Sequence, residues 1–344
     1  MSDYKIVTLG EPLLRITPAD NGRFAGGGQV HMFYGGAEAN VAVALACFGI
    51  KSSFAGKVPE NEIGENFVRE LERYGVDTGS VVRGEGRMGL YYLEQGFGVR
   101  PSRVIYDRAD SAMTKAVPEE FDWENMWKNA RIFHISGITP AISEKAAALS
   151  RYAVSDAKKR GVIISLDMNY RQKLWTDGIA QKQEVMRQLA KEADFLFGNV
   201  LDAHRTMGYA PEDIDFQSAD FSTYIQENAI RQMAEYYQLR GVFFTVRESL
   251  SASHNRLSAR AYLDGTFYTT GVYDLEIMDR VGSGDAFAAG ILYGISRQMP
   301  SQEMLNFALT AGAAAHTIKG DFMPLSAQEI IDIAKNFGQG QVER

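Results

Sequence analysis

Short apolar runs alternate with longer amphipathic stretches along most of the chain. The apolar runs predict β-strands, which lie at residues 4–9, 52–55, 131–136, 162–167, 194–197 and 242–246. The stretches between them predict helices at residues 37–48, 62–74 and 143–159, and within residues 178–192 and 224–238. Strands and helices that alternate in this order favour a mostly parallel central sheet covered by helices on both faces, a three-layer α/β/α domain.

Two regions interrupt this alternation. Residues 13–34 and 88–106 lack a helical period, alternate polar with apolar positions and contain several glycines. Such insertions between βα units predict a small antiparallel sheet that projects from the main sheet and serves as a lid or as a dimer surface. We therefore expect one domain over residues 1–344, with a discontinuous β lid from about 12–34 and 87–110.

Composition removes several broad classes of protein. The 344 residues carry 36 Lys and Arg against 43 Asp and Glu, a formal net charge of −7, and 45% of them are hydrophobic. This composition excludes a fully disordered chain, and its acidic balance disfavours nucleic acid as a partner. The longest apolar runs are shorter than the roughly 18–20 residues that cross a bilayer, so no membrane association is expected. The single cysteine, Cys47, indicates a reducing, cytoplasmic location.

The strongest local motif is Asp-Arg-Val-Gly-Ser-Gly-Asp at residues 279–285, followed by an alanine-rich stretch. Gly282 and Gly284 allow close approach of the backbone, and the residues beyond them predict the first turns of a buried helix. The free N–H groups and the positive dipole end of such a helix form an anion site. Residues 282–284, including Ser283, are therefore predicted to hold a phosphate group.

Asp285 does not suit a site that only binds phosphate, because its carboxylate repels the anion that the helix start attracts. The residue fits there if it accepts a proton from a hydroxyl that attacks the bound phosphoryl group. The alternative is that Asp285 only caps the helix, a common role for Asp in a first turn.

A second motif, Gly-Gly-Ala-Glu-Ala-Asn at residues 35–40, opens the first predicted helix. Gly35 and Gly36 expose backbone donors, and the amide of Asn40 can reach the same cavity, an arrangement that suits the hydroxyls of a polyol. The alternative is a helix start with a buried capping Asn. Neither Gly-x-Gly-x-x-Gly after the first strand nor Gly-x4-Gly-Lys-Ser/Thr occurs, so dinucleotide and Walker-type sites are unsupported.

These two motifs and the βαβ frame between them resemble the PfkB, or ribokinase-like, family of carbohydrate kinases over essentially the whole chain. Within that family, several longer stretches are similar to the 2-keto-3-deoxygluconate kinases, namely residues 89–92, 104–112, 134–140 and 167–175. The resemblance implies a ribokinase-like fold, ATP and Mg²⁺ as cofactors, and a sugar acid as the acceptor. It also implies that Asp285 is the general base and that the backbone of residues 282–284 is the anion hole.

Further roles follow from the resemblance, position by position. The residues that it places on the sugar acid, together with Asn40, are Gly35, Gly36, Tyr91, Tyr106, Arg108, Arg171 and Asp321. The residues that it places on the nucleotide are Asn169, which lies between the substrates, Asn199, Arg247, Ser249, Gly282 and Gly284.

The nucleotide side departs from the family pattern in two places. Where relatives carry Asn-x-x-Glu, this chain has Asn199-Val200-Leu201-Asp202, so Asp202 is predicted either to reach Mg²⁺ through water or only to cap a turn. Where many relatives have a glycine-rich turn after the strand at 242–246, this chain has Arg247-Glu248-Ser249.

The chemistry of arginine supports an acidic sugar independently of the resemblance. Two guanidinium groups, from Arg108 and Arg171, suit a carboxylate, which arginine binds through two parallel hydrogen bonds. The alternatives are that Arg171 faces ATP phosphates or that both residues form surface ion pairs.

The expected reaction is transfer of the γ-phosphoryl group of ATP to 2-keto-3-deoxygluconate, which gives the 6-phosphate. The alternatives are a kinase of a neutral ketose such as fructose, which the two arginines disfavour, and a sugar-acid sensor without turnover, which the intact Gly-x-Gly-Asp disfavours. A homo-oligomer formed through the lid is also expected.

Overall fold

The computed structural model of the chain describes residues 4–211, 213–216, 220 and 222–336. Its main sheet contains a parallel set of strands: β1 (Lys5–Leu9), β4 (Ser52–Pro59), β5 (Asp77–Gly84), β8 (Ala130–Ser136), β9 (Ile163–Asp167), β10 (Phe195–Phe197) and β11 (Gly241–Ser249). An antiparallel set extends one edge: β12 (His254–Leu263), β13 (Thr266–Thr269) and β14 (Tyr273–Glu276). The strand order is β13-β12-β11-β10-β9-β8-β1-β4-β5, and β14 pairs with β12. The predicted, mostly parallel central sheet is confirmed.

A smaller sheet stands apart from the main one. Its strands, in the order β3-β2-β6-β7, are β2 (Leu13–Pro18), β3 (Val30–Gly35), β6 (Gly89–Glu94) and β7 (Arg103–Asp107). The pairs β2–β3 and β6–β7 are antiparallel, as predicted, whereas the two inner strands, β2 and β6, run parallel to each other. The parallel inner pair joins two antiparallel pairs that come from distant parts of the chain.

Helices cover both faces of the main sheet. They are α1 (Ala37–Cys47), α2 (Glu62–Arg73), α3 (Trp123–Trp127), α4 (Glu144–Lys159), α5 (Ile179–Glu192), α6 (Val200–Met207), α7 (Glu227–Tyr237), α8 (Ser283–Arg297), α9 (Ser301–Ala315) and α10 (Ala327–Asn336). No helix of the described part of the chain is both long and apolar enough to cross a membrane.

The core explains why the strands in the middle of the main sheet have continuous apolar sequences. Successive strand residues point to opposite faces of a sheet, so a strand buried on both faces needs apolar residues at every position. In β1, Val7 and Leu9 pack with α4 and α5 on one face, while Ile6 packs with α1, α8 and α9 on the other. This burial on both faces defines the three layers of the fold.

The structure differs from the sequence expectation along β11. The strand was predicted to end at residue 246, with Arg247 and Ser249 in a turn, but it continues to Ser249 and pairs with β12 in an antiparallel register. The polar residues at 247–249 still form a strand because the neighbouring strand supplies their hydrogen bonds. The strands β5 and β12–β14, which lie towards the two edges, were not predicted.

Candidate active site

A cavity of about 710 Å³ lies between the carboxyl ends of the parallel strands and the inner face of the small sheet. Strand β9 ends at its wall with Asp167, Gly198 follows β10 there, and α8 begins there. Parallel α/β sheets bind ligands at this edge because the loops that follow the strands converge on it. The cavity is therefore the candidate active site.

The first turn of α8 presents a carboxylate and free backbone N–H groups to the same space. Gly282, Ser283, Gly284 and Asp285 all line the cavity, and Gly282 is the N-cap residue with φ +78°. A Cβ atom on Gly282 would lie 2.3 Å from the main-chain oxygen of Asp321, so only glycine fits this turn. No side chain caps α8, which leaves its amino end free to bind an anion.

Asp285 does not cap its own helix. Its Oδ2 instead accepts a hydrogen bond of 2.6 Å from Nδ2 of Asn40 in α1. The side chain is 9% exposed and faces the cavity, which Arg108 and Arg171 also line. The capping alternative is therefore wrong, and Asn40 orients the carboxylate rather than capping α1, whose N-cap is Gly36.

Burial shifts the pKa of the carboxylates at this edge of the sheet. The pKa of Asp285 rises to about 6 because desolvation disfavours its charged form, while the bond from Asn40 and the charge of Arg171 act in the opposite direction. The pKa of Asp167 rises to about 7, mainly through burial and secondarily through the negative charge of Asp285. Raised carboxyl pKa values in a cleft are typical of groups that exchange protons near neutral pH.

One side of the cavity, which we call the lid side, consists of Tyr91, Tyr106, Arg108 and Asp321. The Tyr91 hydroxyl donates a hydrogen bond to Oδ2 of Asp321, and the rings of Tyr91 and Tyr106 lie 6.3 Å apart. Burial raises the pKa of Asp321 to about 7. These side chains offer hydroxyl and carboxyl groups beside aromatic faces, a combination that suits a polyol.

The sequence suggested that Arg108 presents its whole guanidinium group to the cavity. The structure shows that it does not. Its Nε donates to Oε2 of Glu11 at 2.8 Å, and its Nη2 donates to the same oxygen. The other oxygen of Glu11 accepts a hydrogen bond of 2.5 Å from the Ser111 hydroxyl. This buried pair fixes Arg108 over the Tyr106 ring, and Nη1 takes no part in it.

Another part of the cavity wall, which we call the arginine side, consists of Arg171, Arg247 and Arg280; Arg205 also lines the cavity and stacks on the Tyr170 ring. Nη2 of Arg280 donates to the Ala252 carbonyl at 2.5 Å, and Nη1 of Arg171 donates to the Tyr170 carbonyl at 3.1 Å. Desolvation and the charges of Arg280 and Arg171 lower the pKa of Arg247. Three positive charges therefore converge on one space, which favours a highly charged anion.

Asp202 and Asn199 form a reciprocal cap at the start of α6. Oδ1 of Asn199 accepts from the N–H groups of Leu201 and Asp202 at 2.9 and 3.2 Å, and Oδ2 of Asp202 accepts from the N–H of Asn199 at 3.0 Å. Both residues line the cavity. The capping alternative for Asp202 is thus observed, and it occupies one of the two carboxylate oxygens.

The described residues contain no group of three or more His, Cys, Asp and Glu side chains that could hold a metal ion. The donor set suits Mg²⁺ nevertheless, because Mg²⁺ keeps several waters and binds through one or two carboxylates together with substrate phosphates. Asp202 and Asp167 both line the cavity, and the charge of Arg171, on the arginine side, acts on both carboxylates.

Most of the predicted site residues share the cavity wall: Gly36, Asn40, Tyr91, Tyr106, Arg108, Asn169, Arg171, Asn199, Asp202, Arg247, Gly282, Ser283, Gly284, Asp285 and Asp321. Two do not. The Gly35 backbone packs against the Asp321 side chain, where a Cβ would lie 2.5 Å from Oδ2. Ser249 ends β11 as an exposed residue, because the strand extends beyond the predicted turn.

Sequence reasoning assigned no role to several residues that shape the site. Asp167 ends β9 at the cavity, and Glu11 follows β1, so the position of each at a strand end could have revealed it. His316 carried no such signal. It lines the cavity, its Nδ1 lies 2.8 Å from the Gly312 carbonyl, and its Nε2 is buried without a hydrogen-bond partner in the described structure.

The fold and this site define a small-molecule kinase, and comparison with known proteins gives its family. The sequence model of the pfkB family of carbohydrate kinases matches residues 4–327. The chain belongs to this family and is a sugar kinase.

The chain is also similar to individual kinases over most of its length. The chain is 28% identical to the 2-dehydro-3-deoxygalactonokinase of Haloferax volcanii, over 99% of both chains. It is 26% identical to the 2-dehydro-3-deoxygluconokinase of Bacillus subtilis, over 86% of this chain and 84% of the relative. The crystal structure of the 2-dehydro-3-deoxygluconokinase from Thermotoga maritima superposes with a TM-score of 0.90 at 38% identity, covering 96% of this chain and 99% of that one.

Proposed function

We propose that the protein transfers the γ-phosphoryl group of ATP to the terminal hydroxyl of 2-keto-3-deoxygluconate, also called 2-dehydro-3-deoxygluconate, and releases its 6-phosphate and ADP. One observation carries the proposal. The carboxylate of Asp285 lies beside the uncapped start of α8, in a cavity that two arginines, Arg108 and Arg171, also line. The names of the relatives support the same sugar acid.

In the proposed reaction, Asp285 accepts the proton of the terminal hydroxyl as that oxygen bonds to the γ-phosphorus. The bond between this phosphorus and the β,γ-bridging oxygen breaks, and its electron pair leaves with ADP. Asn40 holds the carboxylate by its 2.6 Å hydrogen bond, so the base is oriented before the sugar arrives. The N–H groups at the start of α8 stabilise the charge on the transferred phosphoryl group.

The nucleotide phosphates are assigned to the arginine side of the cavity, where Arg247 and Arg280 supply charge, and Asn169, which also lines the cavity, would lie between the two substrates. Asn169 has a φ of +38°, and its N–H donates a hydrogen bond of 2.9 Å to Oδ1 of Asp167. Mg²⁺, when bound, neutralises phosphate charge, and Asp202 and Asp167 would hold it through water.

The acceptor is assigned to the lid side. Arg108 is held there by Glu11, and its remaining nitrogen, Nη1, would contact the sugar carboxylate, which Arg171 would reach from the arginine side. The 4-epimer, 2-keto-3-deoxygalactonate, is a second candidate because the relative from Haloferax volcanii is named for it.

A coupled assay of ADP formation tests the proposed acceptor against the 4-epimer, fructose, ribose and adenosine. We expect kcat/KM for 2-keto-3-deoxygluconate to exceed that for fructose by about 100-fold or more, because the arginines recognise its carboxylate. A higher value for a neutral sugar would reject the sugar-acid assignment. Binding of the sugar acid and ATP without ADP formation would make the protein a sensor instead.

We also propose that the protein forms homo-oligomers through the outer face of the small sheet. Met32, Ile16, Tyr92 and Ile105 lie opposite one another across its strands, and Met32 and Ile105 are 54% and 60% exposed. A row of exposed apolar residues on a sheet is typical of a subunit interface. Light scattering should give at least a dimer for the native chain and a monomer for Met32→Glu, whereas a monomeric native chain would refute the proposal.

A further inference from the structure

Arg15 lies in the middle of β2, and its side chain is completely buried, which is rare for a guanidinium group. Its Nη1 is 3.1 Å from Oδ1 of Asp279, and its Nη2 is 2.8 Å from Oδ2 of the same residue. Its Nε lies 2.9 Å from Oδ1 of Asp321. One arginine of the small sheet therefore bridges two carboxylates that belong to segments outside that sheet.

The two carboxylates in turn hold the backbone of the candidate active site. Oδ1 of Asp279 accepts a hydrogen bond of 3.2 Å from the N–H of Val281, and its Oδ2 accepts one of 3.2 Å from the N–H of Gly320. The main-chain oxygen of Asp321 packs directly against Gly282. The turn that precedes α8 is thus fixed to the 320–321 segment, and both are fixed to β2.

The charges explain why this arrangement depends on an arginine. Asp279 and Asp321 are 2% and 4% exposed, so each carboxylate needs a buried countercharge. The negative charges of Asp279 and Asp285 act on Asp321, and Arg15 is the main positive charge that opposes them. Without the guanidinium, like charges would face each other in the interior and push the two segments apart.

We propose that Arg15 is a positioning residue for phosphoryl transfer, an inference that rests on the kinase reaction proposed above. Arg15 is not part of the cavity wall, so it acts through Asp279 and Asp321. Its guanidinium fixes the position of the lid relative to the turn at residues 281–284. The placement of the sugar by the lid and the placement of the phosphoryl group by α8 are thereby set by one side chain.

The substitution Arg15→Lys tests this role because lysine keeps the positive charge but loses the planar fork that reaches both carboxylates. We expect kcat to fall about 30-fold while the KM for ATP changes less than about threefold, since the reacting groups are misaligned and not removed. Arg87→Lys is the matched control, because Arg87 forms an exposed ion pair with Asp107 on the same lid. Wild-type kcat in Arg15→Lys would overturn the proposal.

Chemical rescue separates positioning from a general loss of stability. In Arg15→Ala, guanidinium ion at low millimolar concentration should raise kcat at least tenfold by occupying the vacated space, and tetramethylammonium at equal ionic strength should not. A folded Arg15→Ala that guanidinium does not activate would overturn the proposal. If Arg15→Ala does not fold, the kinetic comparison of Arg15→Lys with Arg87→Lys decides.

Hydrogen exchange provides a readout that needs no substrate. In Arg15→Lys without ligands, the amides of residues 281 and 320 should exchange at least tenfold faster than in the native chain, while those of α4 should not change. Unchanged exchange at these amides would overturn the positioning role even if the native chain phosphorylates the sugar acid. A native chain that phosphorylates no sugar acid would reject the proposed function. The exchange result would then still test whether Arg15 holds the turn before α8 in place.

Discussion

The two sides of the cavity differ in how their charges are balanced. On the lid side, Arg108 is paired with Glu11, and Asp321 is paired with Arg15 behind the cavity wall. On the arginine side, no carboxylate of the described chain lies within the 4.0 Å of an ion pair from Arg171, Arg247 or Arg280. The lid side is therefore paired before a ligand binds, whereas Arg171, Arg247 and Arg280 have no direct carboxylate partner among the described residues and favour an anionic ligand.

This contrast explains how one cavity can bind two different ligands, each on its own side. A neutralised, hydrogen-bonded side selects by shape and by the few contacts that remain free, which suits a sugar acid. A side with excess positive charge attracts any polyphosphate but discriminates only weakly between polyphosphates, which suits a nucleoside triphosphate. Asp285 lies between the two sides, and changes to the three parts should have separable effects.

The largest effect is expected where the two sides meet. Asp285→Asn keeps the shape and the bond to Asn40 but removes the proton acceptor, so kcat should fall by about 10³-fold or more. Binding of ATP and of the sugar acid, measured by calorimetry, should stay within about threefold of the native values. Loss of the folded state in this variant, or a kcat near that of the native enzyme, would contradict the assignment of Asp285 as the base.

A tenfold or larger effect is expected on the lid side. Arg108→Lys retains a charge beside Glu11 but loses the guanidinium nitrogen that remains for a ligand, so the KM for the sugar acid should rise about 10-fold or more. The KM for ATP should change little, because the arginine side is untouched. Initial-rate kinetics with each substrate varied in turn measures both values, Arg87→Lys again serving as control, and an equal rise in both would remove Arg108 from the acceptor site.

A somewhat smaller effect is expected on the arginine side. Arg247→Gln removes one of three convergent charges, so the KM for ATP should rise by about 5- to 10-fold and the KM for the sugar acid should not. Raising the ionic strength should weaken ATP binding less in the variant than in the native chain, because fewer charges remain to be screened. A change in the KM for the sugar acid alone would reverse the assignment of the two sides.

The smallest effect concerns pH. The pKa of Asp285 is raised to about 6, and a general base works only when deprotonated, so kcat/KM should fall as the pH decreases through about 6. Asp167, whose pKa is raised to about 7, adds a coupled titration in the same range. Arg171→Gln should move the acidic limb to higher pH, because the charge of Arg171 stabilises both carboxylates. A limb that stays in place, or moves to lower pH, would show that Arg171 does not act on the base.

The fold could be predicted from the sequence wherever the apolar pattern of a strand does not depend on which strands pair with it. The strands β1, β8, β9 and β10 are buried on both faces, so their apolar runs identify them without knowledge of their neighbours. The antiparallel strands β12–β14 and the extension of β11 have mixed patterns, because each becomes a strand only through hydrogen bonds to its neighbour. That pairing is a property of the assembled sheet.

The candidate site likewise has local features, which the sequence predicts, and long-range contacts, which it does not. The start of α8 was predictable because Gly282, Gly284 and Asp285 are adjacent in sequence, and their chemistry depends on local backbone geometry. The bond from Asn40 to Asp285 spans 245 positions, the pair of Arg108 with Glu11 spans 97, and the pair of Arg15 with Asp279 spans 264. No local pattern encodes such distances.

The sequence by itself therefore determined the strands that are buried on both faces and most of the helices between them, the anion-binding helix start and the residue types available for chemistry, since these follow from neighbours along the chain. Tertiary structure alone decided which charges are neutralised. It turned Arg108 towards Glu11, buried Arg15 between two carboxylates and left three arginines facing an open space. The physical reason is that the energy of a charge depends on its burial and on its partners, which only folding brings together.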